Sequence, residues 1–317
     1  MFRHLVYACT ISLFAIAPAS LAGQPGPTRT FAPYVDMTKI TATLPQLQVA
    51  SGANLFTLAF LVSGKPCEPS WGGTLPISNA TKILNDVTQL RASGGDVILA
   101  FGGYDGLELA QTCTDVPSLQ AAYQAVIDKY KAKVLDLDIE HTAIEDPVSI
   151  DRRSQALTAL AAANPRLQIN YTLPSTPAGL TDLSVNVIRS AVKFGTQVAV
   201  VNLMTMDYGS PVLTGAMGPN AVAAASGAAQ QLKSLGLHAR IGITPMIGVN
   251  DSAGETFTLD DAQIVVNYAV ANSDTVGLLA FWSIGRDNGS CWAQVSAFCS
   301  GITQKDWDFT HIFQRFQ

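Results

Sequence analysis

The stretch "KVLDLDIEH", residues 133–141, places an acidic residue at every second position of an otherwise apolar segment. Charged residues make up only 14% of the chain, so such a row is unusual for this composition. Side chains alternate between the two faces of a strand, which gives this segment one aliphatic and one acidic face. The aliphatic face carries Leu135, Leu137 and Ile139, and the acidic face carries Asp136, Asp138 and Glu140. The segment therefore predicts a buried strand whose carboxylates all point to one side.

Short apolar, β-prone runs recur along the chain and alternate with helix-prone segments. Between the third and fourth runs, for example, Leu119, Tyr123 and Tyr130 share one helical face, and residues 217–235 and 260–271 are similarly helix-prone. Strands that alternate with helices predict parallel pairing, and eight units fit a closed (β/α)8 barrel. The runs are 31–36, 54–62, 96–103, 134–140, 167–174, 198–206, 240–248 and 276–284.

The predicted fold class is therefore α/β, a single-domain (β/α)8 TIM barrel over residues 28–303. An open doubly wound sheet would carry a nucleotide site, but "FGGYDG" at 101–106 lacks the G-x-G-x-x-G spacing, and no phosphate-binding loop occurs. Residues 304–317 form a short tail. Its aromatic residues are predicted to pack on the barrel as a last helix: Trp307, Phe309, Phe313 and Phe316.

Residues 1–22 have the pattern of a secretory signal peptide. Arg3 and His4 precede an apolar run, and the small residues of "APASLA" follow it, just before Gly23. The apolar run is too short to span a bilayer, so a permanent anchor is the weaker interpretation. The sequence predicts an exported, soluble protein that is extracellular, or periplasmic in a Gram-negative host.

The chain has a formal net charge of −5 at pH 7, and loss of Arg3 with the signal peptide would make it −6. Acidic surfaces bind nucleic acid and anionic membranes poorly. No partner of either kind is expected, and the mature protein is predicted to be a monomer.

Four cysteines remain after the signal peptide, which suits two disulfides in an oxidising compartment. The short separation of Cys291 and Cys299 favours a local bridge, which leaves Cys67 to pair with Cys113. Sequence alone permits three pairings. A zinc site is disfavoured because no Cys-x-x-Cys or paired-His spacing is present.

The acidic row itself points to a kind of chemistry. Barrel enzymes have their active sites at the C-terminal ends of the strands, where Glu140 would lie. Buried like charges raise at least one carboxyl pKa, and a carboxyl that stays protonated near neutrality acts as a general acid. The seventh run offers no Glu to act as the nucleophile of an ordinary retaining glycosidase. The pattern favours a substrate that supplies its own nucleophile, such as a 2-acetamido sugar.

Four motifs resemble those of glycoside hydrolase family 18, the chitinases and their relatives. "LDLDIE" resembles the signature D-x-x-D-x-D-x-E, and "AFGG" on the third strand resembles S-x-G-G. "LMTMDYG" on the sixth strand resembles the M-x-Y-D element, and "AFWS" on the eighth resembles the strand that carries a floor tryptophan. The motifs occur in the family's order over nearly the whole mature chain. With "FAPYVD" near its start, the chain is most similar to the compact single-domain branch.

The resemblance implies a role for each matching residue, without metal or organic cofactor. Glu140 would protonate the leaving oxygen and later activate water. Asp138 would hold the substrate's acetamido group, and Asp136 would share a proton with Asp138. Trp282 would form the floor under the sugar, and Asp207 would bond the acetamido group or the proton network. Three tyrosines near strand ends would line the cleft or serve as plain packing: Tyr34, Tyr171 and Tyr208.

Three positions depart from the family pattern. Lys133 replaces the first Asp of the signature, where it could tune the carboxylate row or pair with Asp136. Ala100 replaces the Ser of S-x-G-G. Met206 stands where many members have the Tyr that bonds the acetamido group, a loss for which Tyr171 or Tyr208 could compensate.

The predicted function is retaining, substrate-assisted hydrolysis of β-1,4-linked N-acetylglucosamine in chitin or its oligosaccharides. Two alternatives remain open from sequence: a catalytically weak, lectin-like protein that binds chitin oligosaccharides, and an endo-β-N-acetylglucosaminidase that acts on N-glycans. Trp71 and Trp292 are candidates for exposed aromatic residues of outer subsites. His141, beside the acid, is interpreted as a structural histidine rather than a modulator of Glu140.

Overall fold

The computed structural model describes Met1 and residues 28–209 and 215–317. Apart from Met1, the predicted signal peptide lies outside the described residues. Eight parallel positions around one sheet form the barrel, and the strands are numbered in chain order. They are β1 (two segments, Thr30–Phe31 and Tyr34–Asp36), β2 (Leu55–Ser63), β3 (Asp96–Gly102), β4 (Val134–Asp138), β5 (Gln168–Thr176), β6 (Val200–Met204), β7 (Arg240–Thr244) and β8 (Val276–Leu279).

The sheet closes through the first strand. Its segment Thr30–Phe31 pairs with β8, its segment Tyr34–Asp36 pairs with β2, and every neighbouring pair between is parallel. This closure confirms the (β/α)8 prediction. The connecting loops contain short additional strands, at Pro69–Trp71, Leu75–Pro76, Gly179–Leu180, Gly248–Val249 and Thr256–Phe257.

Helices follow the strands and cover the outside of the barrel. Within the described residues they are α1 (Leu44–Ser51), α2 (Thr81–Ala92), α3 (Leu109–Thr112), α4 (Val116–Tyr130), α5 (His141–Glu145), α6 (Pro147–Ala163), α7 (Asp182–Phe194), α8 (Met217–Leu235), α9 (Leu259–Ala271) and α10 (Asp308–Phe313). Local capping sets several of these limits. Asp115 caps α4, and Gly195 ends α7 in the left-handed conformation that glycine adopts readily.

The barrel interior has an apolar lower layer and a layer of small residues above it. Ala32, Ile98, Val200 and Leu278 form the lower cluster, near the N-terminal ends of the strands. Ala59, Ala100 and Ala280 surround the buried Tyr34 in the second cluster, against which Phe60 and Trp282 pack. Small side chains at this level leave space for aromatic rings and carboxylates inside a narrow barrel.

The tail contains the last helix, α10, which packs on the barrel. Phe309, Phe313 and Phe316 are fully buried, and Trp307 packs against the core from a partly buried position. The ring of Phe313 lies 5.8 Å from that of Phe31 and 5.3 Å from that of Phe281. Helix α10 therefore covers the join between the first and last strands.

Both predicted disulfides are present, Cys67–Cys113 and Cys291–Cys299. The first joins the loop after β2 to the end of α3, and the second closes a loop beyond β8. These bridges confirm the pairing that the sequence separations favoured.

Two predictions at the periphery are wrong. Trp71 is only 2% exposed, because its strand pairs with β2 and its indole N–H donates to Tyr130 Oη at 2.8 Å. Trp292, in contrast, is 71% exposed. Lys133 does not approach Asp136: it precedes β4 at the N-terminal end of the barrel, where its Nζ pairs with Asp96 at 2.7 Å.

Candidate active site

A cleft of about 690 Å³ opens at the C-terminal ends of the barrel strands. Loops after β3, β4, β6, β7 and β8 contribute to its walls, which places it where barrel enzymes carry out their chemistry. Its lining consists of Tyr34, Phe60, Tyr104, Asp105, Asp138, Glu140, Thr172, Pro174, Ser175, Met204, Met206, Asp207, Thr244, Met246, Asp251 and Trp282.

The carboxylates of Asp136 and Asp138 on β4, and of Glu140 just after it, run from the barrel interior to the cleft. Asp136 is 2% exposed and Asp138 is 4% exposed, whereas Glu140 lies two residues beyond the strand and is only partly buried. Asp138 and Glu140 line the cleft, and Asp136 lies beneath them. The strand's alternation therefore delivers one carboxyl group to the mouth of the site and two to its base.

Asp136 is the centre of a hydrogen-bond network that links several strands. Tyr34 Oη donates to Asp136 Oδ2 at 2.8 Å, and Thr172 Oγ1 donates to Asp136 Oδ1 at 2.8 Å. Asn202 Nδ2 donates to Thr172 Oγ1 at 3.0 Å, and Thr244 Oγ1 donates to Asn202 Oδ1 at 2.9 Å. Because both oxygens of Asp136 accept from hydroxyl groups, this network favours its ionised form.

The surroundings separate the proton affinities along the row. Burial raises the pKa of Asp136 to about 6, against the two hydroxyl hydrogen bonds, which lower it. Burial, followed by the charges of Glu140 and Asp136, raises the pKa of Asp138 well above its ordinary value. Burial also raises the pKa of Glu140 to about 7, and Asp105 and Asp207 add to that rise. Between these two values Asp136 is ionised while Glu140 holds its proton.

One oxygen of Asp138 is available to a ligand. Asp138 Oδ1 is buried and has no hydrogen-bond partner among the described residues. Buried polar atoms normally find a partner, so an unpaired oxygen in the wall of a cleft is suited to a donor on a bound molecule. An amide N–H has the required chemistry.

Aromatic rings form one wall of the cleft. The ring of Trp282 is stacked on that of Phe60, with centroids 5.6 Å apart and planes 14° apart, and Tyr34 lies 6.1 Å from Trp282. Sugar rings present apolar C–H faces that pack on such surfaces. Trp282 and Phe60 therefore give the cleft an apolar surface of this kind.

Two glycines let β3 approach the carboxylate strand. A Cβ on Gly102, whose φ is +91°, would lie 2.0 Å from Asp138 O, and Gly103 N donates to that same carbonyl at 3.0 Å. A Cβ on Gly103 would lie 2.6 Å from the ring of Phe60. The glycine pair is thus required by close packing around the site.

Asp207 and Met206 both line the cleft, in the loop after β6. Asp207 Oδ1 accepts a hydrogen bond from Ser252 N at 2.7 Å, which joins the loops after β6 and β7. Burial raises the pKa of Asp207, and the nearby charges of Asp251 and Glu255 act in the same direction. Met206 presents no hydroxyl group, so the hydrogen bond of the family tyrosine is absent from this position.

Tyr171 and Tyr208 do not line the cleft, contrary to the expectation that they could. Tyr171 is fully buried on the outer face of β5, in register with Leu137 of β4, and faces the helices near Arg153. Tyr208 packs against the core with a buried hydroxyl group. Neither tyrosine takes the place of the one replaced by Met206.

His141, interpreted from sequence as a structural histidine, makes an aromatic contact at the surface. It is exposed, and its ring stacks on Tyr104 with centroids 4.7 Å apart. Tyr104 belongs to the cleft lining, so this pair lies at the rim of the site.

Phe60, Thr172, Asn202 and Tyr104 are absent from the set predicted from motifs. A signal for two of them exists: Thr172 ends an alternating polar row with Gln168 and Asn170, the pattern that marked the carboxylates, and Asn202 interrupts an apolar strand run. Phe60 carries no such signal, because one more Phe in an apolar strand is ordinary.

Comparison with known proteins agrees with this geometry, although no family model matches the chain. A "Probable bifunctional chitinase/lysozyme" of Escherichia coli (strain K12) is 38% identical over 92% of this chain and 35% of that protein. "Endochitinase 11" of Metarhizium anisopliae is 37% identical over 82% of this chain and 53% of that protein. The chain thus spans between a third and just over half of the length of these relatives.

A solved structure matches over nearly its whole length. The catalytic domain of a hyperthermophilic chitinase from Pyrococcus furiosus has a TM-score of 0.82 and 36% identity, covering 92% of this chain and 95% of that chain. Similarity of this extent shows common descent as well as a common fold. The chain belongs to the chitinases of glycoside hydrolase family 18.

Proposed function

We propose that this protein hydrolyses β-1,4-linked N-acetylglucosamine in chitin or chito-oligosaccharides, with retention of configuration and with the substrate's own acetamido group as nucleophile. Its named relatives are a probable bifunctional chitinase/lysozyme and an endochitinase, and catalytic site mutants of the related Pyrococcus domain have been crystallised with chito-oligosaccharides. The observation that carries the proposal is the pair formed by a cleft-facing Glu140, protonated up to about pH 7, and Asp138 with its unpaired oxygen.

In the first step Glu140 donates its proton to the glycosidic oxygen as the bond to the anomeric carbon breaks. The acetamido carbonyl oxygen attacks that carbon, which forms a cyclic oxazolinium ion. Asp138 Oδ1 accepts the acetamido N–H and orients the carbonyl. The hydrogen-bonded Asp136 below keeps a negative charge near the developing positive one.

In the second step the Glu140 carboxylate takes a proton from water as the water attacks the anomeric carbon. The oxazolinium ring opens and the acetamido group is restored. Because the anomeric carbon is inverted twice, its configuration is unchanged. Trp282 and Phe60 support the sugar's apolar face during both steps. Asp207 would bond the acetamido group or extend the proton network.

Export is part of the proposal. Two disulfides suit an oxidising compartment, and residues 1–22 have the signal pattern. Among the described residues, no helix is long and apolar enough to cross a bilayer.

The test is a time course of the mature protein with chitohexaose, followed by mass spectrometry beside Glu140→Gln. We expect shorter products from the wild type and a loss of at least about 10²-fold in the variant, the usual size of a general-acid contribution. Intact hexaose with retained binding in both proteins would support the lectin-like alternative. Cleavage of an N-glycan but not of chitohexaose would support the endo-β-N-acetylglucosaminidase alternative.

A further inference from the structure

The charge of the cleft lining is entirely of one sign. Its ionisable acidic side chains are those of Asp105, Asp138, Glu140, Asp207 and Asp251, and no Lys, Arg or His belongs to the lining within the described part of the chain. Residues 210–214, which fall outside that part, read S-P-V-L-T and add no cation.

Asp105 and Asp251 lie apart from the catalytic row. Asp105 follows β3, Asp251 follows β7, and both are exposed on the cleft wall. Neither carboxylate has an ion-pair partner among the described residues, where the salt bridges involve other acids. Exposed and unpaired, both are free to meet a charge on a bound molecule.

Arg286 is a buried cation whose charge acts on Asp251 and Asp207, but its hydrogen bonds go to loop carbonyl groups. The guanidinium group of Arg286 is buried and donates to Ile247 O, Val249 O and Ser296 O. It therefore joins loops after β7 and β8 and is not part of the cleft lining. His141 stacks on Tyr104 at the rim and is not part of the lining.

Apolar walls strengthen the effect of these charges. Phe60, Trp282, Met204, Met206 and Met246 share the cleft with the acids. Low-dielectric walls around charges of one sign focus the potential into the opening and attract ions of opposite sign.

On this basis, and resting on the proposed function, we propose that the cleft selects positively charged sugar polymers. Its preferred substrate is partially deacetylated chitin, whose glucosamine ammonium groups bind Asp105 and Asp251 on either side of the sugar that is cut. The cut sugar itself must keep its acetamido group, because that group supplies the nucleophile and meets the unpaired Asp138 Oδ1. Polymers that carry free carboxylates, such as peptidoglycan glycan strands whose lactyl groups have lost their peptides, are excluded by repulsion.

The test compares kcat/KM for two oligosaccharides of equal length, fully acetylated and half deacetylated, at a pH at which the free amines are protonated. The readout is the kcat/KM of the half-deacetylated substrate divided by that of the fully acetylated one. Any effect of a substitution on Glu140 acts on both substrates and cancels in this ratio. We expect the double variant Asp105→Asn/Asp251→Asn to lower the ratio about 5- to 10-fold, the sum of two weak exposed ion pairs. Salt at about 0.5 M should lower the wild-type ratio similarly, since it screens exposed charges.

The matched control is Asp128→Asn, an exposed acid near the end of α4 at the opposite end of the barrel, which should leave the ratio unchanged. A ratio that is insensitive to both salt and the double variant would overturn the proposal. So would cleavage of a peptide-free peptidoglycan glycan strand at the rate of chitohexaose.

Failure of hydrolysis would leave this proposal testable. Binding of the same two oligosaccharides to Glu140→Gln, measured by calorimetry, reports charge selection without turnover. Tighter binding of the deacetylated ligand, lost in salt and in the triple variant with Asp105→Asn and Asp251→Asn, supports the proposal even if chitohexaose is never cut. Equal affinities would refute it independently of the catalytic assignment.

Discussion

Glu140 makes the rate of hydrolysis depend on pH in a specific way. Its pKa is raised to about 7, so the proton needed by the leaving oxygen is present below that pH and lost above it. Asp136, with a pKa of about 6, must be ionised to stabilise positive charge and is neutralised below that pH. We expect kcat/KM to be bell-shaped, with limbs near these two values, which belong to the coupled row as a whole.

Removing a neighbouring negative charge should move one limb of that profile. In Asp105→Asn the repulsion that helps to raise the pKa of Glu140 is gone, so the alkaline limb is expected at lower pH, while the acid limb stays in place. The measurement is kcat/KM for fully acetylated chitohexaose across pH. An alkaline limb that does not move would show that Asp105 has no electrostatic influence on Glu140.

Gly102 is a second residue whose substitution has a defined outcome. In Gly102→Ala the new Cβ meets Asp138 O, and the positive φ adds strain, so we expect about 3 kcal/mol of destabilisation and about 10²-fold lower kcat as β4 shifts. Gly94→Ala is the matched control, because Gly94 has φ +88° and open space around it. In Gly94→Ala, denaturant unfolding should show a loss of about 1 kcal/mol in the free energy of unfolding, and kcat should be unchanged. Equal losses in both variants would mean that the close approach to β4 is unimportant.

At the scale of elements, the two disulfides should differ in what they contribute. Cys67–Cys113 spans 46 residues of chain and Cys291–Cys299 spans 8. Loop-closure entropy then predicts a stabilisation of about 4 kcal/mol for the long bridge and about 2.5 kcal/mol for the short one. Double Cys→Ser variants of each pair, compared by chemical denaturation, measure the difference. A larger loss for the short bridge would show that native contacts, not chain entropy, dominate.

At the scale of the whole molecule, the tail joins the two ends of the barrel. Phe313 contacts both Phe31 of the first strand and Phe281 beyond the last, so Phe313→Ala should cost about 3–5 kcal/mol and lower the melting temperature of the entire barrel. Phe298→Ala is the control, since Phe298 is 61% exposed and should change stability by less than about 0.5 kcal/mol. If Phe313→Ala disrupts the packing of the tail but leaves the melting temperature of the barrel unchanged, α10 does not contribute to the stability of the barrel.

Much of the architecture was predictable because strand and helix periodicities are local. The predicted strands begin within two residues of the observed ones, whereas their ends are less accurate: the run 276–284 contains a strand that ends at Leu279. Beyond that point backbone hydrogen bonds continue, with Ala280 N donating to Ile243 O and Trp282 N donating to Pro245 O, and Trp282 forms an isolated bridge with Met246. The sequence pattern therefore describes the extended backbone well but does not report where the regular strand ends.

The sequence by itself determined the barrel, the disulfide partners that short separation favoured and the order of the acidic row, because each depends on spacing along one segment. The tertiary structure alone decided which aromatic and polar side chains accompany that row. Phe60, Thr172 and Asn202 come from three different strands. Tyr171 lies on the outer face of its strand and so does not reach the cleft. The physical reason is that a closed sheet brings side chains together by register and curvature. Proton affinities, set by burial and by neighbours from other loops, follow from that same three-dimensional arrangement.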